Sequence, residues 1–347
     1  LPPPRDQIET VNVLRQLVKS SVALAELKGM ALTLPNPAIL LNAVILKEAT
    51  ASSEIENIIT TQDKLYQALS AKGAGADAAT KEVLRYREAT LYGYQFIKQK
   101  GFLSINAILA IQRILEENNA GIRKLPGTAL RNATTQEVIY TPPDDYDVIL
   151  RLLKNFEDYF NEQDDIAPLI KMAVLHYQFE SIHPFYDGNG RTGRILNLLH
   201  IILNDLLDSP VIYLSEYIIR NKAQYYRLLQ EVRTEGHWEN WILYLLMGVE
   251  KTAQQSIEQI KSIQKLFAST QERIKKEAPK VYDKELLEIL FEHPYCKSDT
   301  LTARLHISRI TAAKYLRELE HIQILKSKRV WKETIYIHTR LFELLKK

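Results

Sequence analysis

Two strongly apolar helical stretches are joined by the turn His183-Pro184-Phe185-Tyr186-Asp187-Gly188-Asn189-Gly190-Arg191-Thr192-Gly193-Arg194. Before it, Asp165 to Ile182 places Ile166, Leu169, Ile170, Ala173, Val174, Tyr177 and Phe179 at helical spacing. Pro184 disfavours α geometry at the residue before it, so His183 is expected at a helix end. After it, Ile195, Leu196, Leu198, Leu199, Ile201, Ile202 and Leu203 resume an apolar helix, with Asp187 to Gly190 as the loop that enters it. A chain built this way must bring a histidine, a carboxylate and two arginines to one helix N-terminus.

Such an end favours anions, because its first amides lack internal partners and the helix dipole is positive there. Gly188, Gly190 and Gly193 let the backbone come close to a ligand. Arg191 and Arg194, three apart, share one helical face and suit forked bonds to a polyphosphate. Asp187 offers the oxygen ligand that Mg²⁺ prefers when it also bridges phosphates. His183 is placed to act as a general base.

The turn resembles the signature of the Fic family, His-x-Phe-x-(Asp/Glu)-Gly-Asn-(Gly/Lys)-Arg-x-x-Arg, at every fixed position. The resemblance implies transfer of AMP from ATP to a Ser, Thr or Tyr hydroxyl of a protein, with pyrophosphate leaving. It implies His183 as catalytic base, a role generally worth roughly 10²–10⁴ in rate. Asp187 would hold Mg²⁺. Gly188, Asn189, Gly190, Arg191, Thr192, Gly193 and Arg194 would bind the nucleotide's phosphates, and Phe185 would anchor the loop in the core. Of the later pair, Tyr226 and then Tyr225 would border the adenine, while Arg233 stands near where some relatives carry an adenine-binding Asn.

Upstream, Ser52-Ser53-Glu54-Ile55-Glu56-Asn57 is similar to the (Ser/Thr)-x-x-x-Glu-(Gly/Asn) inhibitory motif of many Fic proteins. By this resemblance Ser52, Glu56 and Asn57 form a built-in brake, with the Glu56 carboxylate competing with the γ-phosphate for Arg194. The segment from Leu125 to Pro143 reads as turn, short β-prone run and Pro stop, and includes Thr134 and Thr135. In the family it looks like a flap over the active site, with Val138, Ile139 and Tyr140 as target-docking residues.

The expected fold is mainly α: a Fic helical bundle with a β-hairpin flap, plus a C-terminal winged helix-turn-helix. Its expected parts are an N-terminal helical region at 1–100, a catalytic core at 101–248, a helical connector at 249–283 and the winged module at 284–347. Helical periodicity predicts a first helix from about Arg5 to Met30, with Ile8, Val11, Leu14, Leu17, Val18, Leu24 and Leu27 on one side. A second runs from about Pro37 to Thr50, and Ala51 to Glu56 leads into a third that ends at Leu69. Ser70 to Ala79, rich in Ala and Gly, reads as a loop.

In the C-terminal module, helices near Leu286, at Ser298 to Leu305 and at Ser308 to His321 precede a two-stranded hairpin formed by Ile324 to Trp331 and Thr334 to Ile337. From Lys297 onward twelve Lys and Arg stand against five Asp and Glu, while the rest of the chain is slightly acidic. Arg309, Lys314, Arg317, Lys328 and Arg329 would lie near phosphates if the helix from Ser308 entered a DNA groove. Protein contact by the same module stays open, as does a homodimer.

Cys296 alone excludes an intramolecular disulfide framework, and no stretch of about 18 uncharged apolar residues is present. A soluble, cytoplasmic protein without membrane contact is the expectation. Competing functions are a DNA-binding regulator that only senses nucleotide, transfer of another nucleotide or of phosphate, and removal of AMP.

Overall fold

The computed structural model describes residues 2–70, 75–131, 136–330 and 333–346. The chain is mainly helical with small antiparallel sheets, and it divides into two compact units, each discontinuous in sequence. The first contains Leu1–Lys28, Ile45–Ile58 and Glu82–Ala253; the second contains Gly29–Val44, Ile59–Lys81 and Gln254–Lys347.

The chain opens with α1 (Arg5–Ile8), α2 (Val11–Ala31), α3 (Pro37–Ile55), α4 (Gln62–Ser70), α5 (Ala78–Lys100) and α6 (Ile105–Glu116). The single first helix expected from periodicity is therefore broken. Glu9 leaves helical geometry, and the Thr10 hydroxyl accepts from Val13 N at 3.3 Å, starting α2 afresh. Its buried side is Val13, Ser20, Ala23, Leu24 and Leu27, whereas Val11, Leu14 and Val18 face solvent. The apolar spacing is real, but the expected side is split: Ile8, Leu24 and Leu27 are buried, and Val13 and Ala23 take the core positions that Val11, Leu14 and Val18 do not.

Ala51 to Ile55 also belongs to the preceding helix, α3, rather than to the one that follows. Asn57, at φ 63°, turns the chain after it. Of the expected Ala/Gly-rich loop, residues 71–74 lie outside the described residues, as do Thr134 and Thr135 of the flap and Trp331 of the terminal hairpin.

In the first unit, β1 (Leu130–Arg131) pairs antiparallel with β2 (Val138–Tyr140), matching Leu130 with Tyr140. Then follow α7 (Tyr146–Asn161), α8 (Pro168–Ile182), α9 (Asn189–Leu203), α10 (Leu214–Arg220), α11 (Lys222–Glu235) and α12 (Trp238–Glu277), whose later turns belong to the second unit. Helix α8 starts with Pro168, which needs no amide partner in a first turn. It is apolar on nearly every side, and so is α9 from Ile195 onward. Helices of that kind are stable only when surrounded, and both lie buried at the middle of the bundle. Their buried packing fixes the two ends between which residues 183–188 run.

The second unit adds α13 (Lys284–Glu292), β3 (Tyr295–Cys296), α14 (Ser298–Leu305), α15 (Arg309–His321), β4 (Lys326–Val330), β5 (Glu333–Ile337) and α16 (Thr339–Lys346). The sheet is antiparallel, in the order β3-β5-β4. The expected two-stranded hairpin thus gains a third strand, too short at two residues to show any period in sequence. Tyr66, Tyr295 and Phe342 pack as an aromatic cluster beside it, with the two tyrosine rings stacked at 5.6 Å. Burial pushes the Cys296 thiol up to about 12. No helix among the described residues is long and apolar enough to cross a membrane.

Candidate active site

His183 caps the C-terminus of α8 in the left-handed region, φ 49° and ψ 58°, with its N–H on the Phe179 carbonyl at 3.0 Å. Pro184 prevents the helix from continuing. Gly188, at φ 78°, turns the chain into α9, where a side chain would be strained. The ladder of α9 begins with Thr192 N on Gly188 O at 2.9 Å, so the amides of Asn189, Gly190 and Arg191 precede it. Asn189 and Gly190 thus open the helix rather than end the loop.

Phe185 is fully buried, and Asn189 holds its backbone by two bonds of 2.8 Å: Oδ1 accepts from Phe185 N, and Nδ2 donates to Phe185 O. Asn189, expected to cradle phosphate, thus also braces the loop from within. Oδ1 and one of the two Nδ2 hydrogens are committed to that bracing.

A second support comes from residues that carry no motif. Ile122 bridges to Phe185, and Arg123 N donates to Pro184 O at 2.9 Å. The Arg123 side chain is wholly buried; its Nε donates to His183 O at 2.8 Å and its Nη2 to the carbonyls of Ile182, at 3.4 Å, and Pro143. Tyr186 OH accepts from Lys124 N at 2.9 Å and Leu125 N at 3.3 Å. Burial and the Arg123 cation push the His183 imidazole down to about 4, against a smaller opposing pull from Glu56. His183 is therefore neutral near pH 7.

The two arginines meet different partners. Arg191, 3% exposed, donates to Glu82 of α5 at 3.1 Å and Glu116 of α6 at 2.8 Å. Arg194 is equally buried and donates through Nε to Ser52 Oγ at 2.7 Å and through Nη2 to Ser52 O at 3.0 Å and Glu56 Oε1 at 2.8 Å. Burial raises the Glu56 pKa, but the charge and hydrogen bond of Arg194, with Arg191 and Lys222, outweigh it and hold the carboxyl below its ordinary range. Lys222 Nζ donates to Ile55 O at 2.6 Å, fastening the end of α3. Gly190 lies directly against the pair: a Cβ there would collide with Glu56 Oε1 and sit 2.9 Å from an Arg194 nitrogen. The carboxylate thus rests on the N-terminus of α9, the place prepared for an anion.

Glu180, one turn before His183, was not foreseen. Burial pushes its carboxyl up to about 7 despite the pull of Arg194. Arg233 lies with its guanidinium 3.9 Å from the centre of the Tyr140 ring, and Tyr140 OH donates to Ser181 O at 2.9 Å. Tyr140 is therefore turned inward, while Val138 and Ile139 are 49% and 45% exposed on the flap. Tyr225 is taken up by the core, 1% exposed with its hydroxyl 2.8 Å from His176 Nε2; Tyr226 is 47% exposed.

Asp187 presents a side chain 78% exposed at the loop mouth. Among the described residues no group of three or more His, Cys, Asp or Glu is placed to enclose a metal. A single open carboxylate fits Mg²⁺ of the kind that takes most of its ligands from substrate phosphates and water.

Three family models match the chain: the Fic/DOC family N-terminal model at residues 14–95, the Fic/DOC family model at 102–201, and the protein adenylyltransferase SoFic-like C-terminal domain at 266–341. The protein adenylyltransferase fic-1 of Caenorhabditis elegans is 30% identical over 192 residues, 54% of this chain and 34% of that protein. The protein adenylyltransferase Fic of Aedes aegypti is 29% identical over 180 residues, 51% of this chain and 32% of the relative. The chain spans about a third of the length of these curated relatives. In fold it is similar to a Fic family protein from Desulfovibrio desulfuricans, with a TM-score of 0.60 at 18% identity over 94% of this chain and 96% of that one. It is also similar to residues 134–508 of Fic-1 from C. elegans, with a TM-score of 0.56 at 22% identity over 72% and 74% of the two chains.

Proposed function

The chain belongs to the Fic/DOC family, and from that premise we propose that it is a protein adenylyltransferase, moving AMP from ATP to a Ser, Thr or Tyr hydroxyl of a target protein and held back by its own Glu56. The neutral His183 accepts the hydroxyl proton as the oxygen attacks the α-phosphorus. The bond from that phosphorus to the bridging oxygen of the β-phosphate breaks, and pyrophosphate leaves with the electron pair. A base of pKa about 4 is a weak one, so most of the rate comes from alignment and from charge already in place.

That charge is unequally available. Arg191 is already shared between Glu82 and Glu116, which leaves Arg194 and the first amides of α9 to orient the terminal phosphates. Asp187 would hold Mg²⁺, which when bound neutralises charge on the phosphates. Val138 and Ile139, exposed on β2, would pair with the target's backbone, while the inward Tyr140 fixes the flap's base.

The observation that carries the reading is the 2.8 Å contact between Glu56 and Arg194, made on top of Gly190. A carboxylate in that place excludes the γ-phosphate and misaligns the α-phosphate with His183. Incubation with ATP labelled at the α-phosphate tests both parts: Glu56→Gly should label itself and proteins of a lysate, and the added change His183→Ala should abolish labelling. Absence of label on Glu56→Gly would rule out the transferase reading.

A further inference from the structure

We propose that the C-terminal module binds duplex DNA through the solvent face of α15, an activity separate from AMP transfer. The element order α13-β3-α14-α15-β4-β5 and the sheet order β3-β5-β4 are those of a winged helix-turn-helix. Helices α14 and α15 are joined by only His306, Ile307 and Ser308, with His306 in the left-handed region at φ 53°. Ser308 caps α15, its hydroxyl accepting from Thr311 N at 3.1 Å. The second helix of such a pair is the one that enters a major groove.

Helix α15 buries Ala312, Leu316 and Leu319 and turns the opposite stripe to solvent: Ile310, Lys314, Arg317 and His321. That stripe, at spacings of four, three and four, contains two permanent cations and no carboxylate. The two acidic residues of the helix lie off it. Glu320 accepts from Ser327 N at 2.7 Å, tying α15 to β4, and Glu318 is half-buried at its flank. Arg309, exposed at the helix start, is matched by Asp299 at 3.4 Å. Lys326 and Arg329 are exposed on β4, whereas Lys328 is matched by Asp63 at 3.3 Å.

Ile310 is 82% exposed at the second position of the helix. An isoleucine so placed gains nothing from water, but it is the group type that contacts a thymine methyl in the major groove. Cations spaced along the same stripe suit the flanking phosphates. Charge complementarity and the apolar tip together fit the face to a duplex.

The test is fluorescence anisotropy of a labelled duplex titrated with the full chain at about 50 to about 200 mM salt. With about four phosphate contacts, log K should fall against log salt with a slope near about −3.6. The double change Lys314→Glu, Arg317→Glu should weaken binding at least about tenfold and flatten the slope by about 2, while the thermal midpoint and self-labelling in the Glu56→Gly background stay unchanged. Ile310→Ala should alter which sequences are enriched from a random duplex pool. No binding at low salt, binding indifferent to the charge reversal, or a protein captured by this face in place of DNA would each overturn the proposal.

Discussion

The Arg194 guanidinium donates to the Glu56 carboxylate at 2.8 Å and to the Ser52 hydroxyl at 2.7 Å, so one side chain ties the end of α3 to the second turn of α9. On the proposed function, only the Glu56 contact would compete with phosphate. Glu56→Gly should therefore raise the initial rate of label transfer at least about tenfold, which corresponds to about 1.4 kcal/mol. Ser52→Ala, which removes a contact that steadies Arg194 without freeing it, should not. Equal rates in wild type and Glu56→Gly would show that the pair is not a brake.

Lys222 holds the same device from the other side. Its ammonium donates to Ile55 O at the C-terminus of α3, where the helix dipole is negative, and adds positive charge near Glu56. Lys222→Met should loosen the turn at 53–58 and give a self-labelling rate between those of wild type and Glu56→Gly. Hydrogen exchange of the Glu56, Asn57 and Ile58 amides should speed up in parallel. Faster exchange with an unchanged labelling rate would confine Lys222 to a structural role.

With His183 as the proposed base, its low pKa would set the acid limb of activity. A base that titrates at about 4 stays deprotonated throughout the neutral range and loses function only as pH falls through that value. For Glu56→Gly, kcat/KM for ATP should be flat from about pH 8 to about pH 5 and then fall, since this ratio reports the free enzyme. Removing Glu56 takes away the one carboxylate that raises the imidazole, so the limb cannot move upward on that account. A midpoint near 6.5, the ordinary value for His, would mean that the ring is solvated in the working state.

Much of this site could be read from residues 183 to 194, because Pro184 and Gly188 dictate backbone at the two helix ends whatever surrounds them. The remainder depends on where distant side chains land. Arg123, within Ile-Arg-Lys-Leu-Pro-Gly, reads as solvated charge, yet it is buried against three carbonyls. Glu82, Glu116 and Glu180 sit on helices whose spacing gives no reason to single them out, and Asn189 has the same letter whether it holds phosphate or its own loop. Periodicity likewise reports that α2 is apolar at helical spacing without saying which positions meet the core. Ser52 and Glu56 could be linked to an arginine 142 and 138 residues away only through resemblance, not through local physics.

Asn189 supplies a stability prediction. Asn189→Ala strands the buried amide and carbonyl of Phe185, each of which then lacks a partner, at a cost of about 2–4 kcal/mol for the two. The thermal midpoint should drop by roughly 5 °C or more, and label transfer in the Glu56→Gly background should be lost as the loop relaxes. Asn189→Asp, which keeps the acceptor and loses the donor, should fall between. A full midpoint with lost transfer would instead place the amide on the nucleotide.

Glu180 makes the fold sensitive to pH in a direction opposite to that of an ion-paired acid. Its folded pKa is raised to about 7 from an ordinary 4.5 by burial, so the folded chain binds the proton more tightly than the unfolded one. Stability from this group is complete below about pH 4.5, falls as pH rises through the interval, and levels off as a fixed penalty above pH 7. Glu180→Gln keeps the shape without the ionisation. It should leave the thermal midpoint near wild type at about pH 4.5 and raise it at about pH 8, by up to about 3 kcal/mol of unfolding free energy. A gain of equal size at both pH values would mean that the residue acts through packing, and that the carboxyl is not the titrating group beneath the turn.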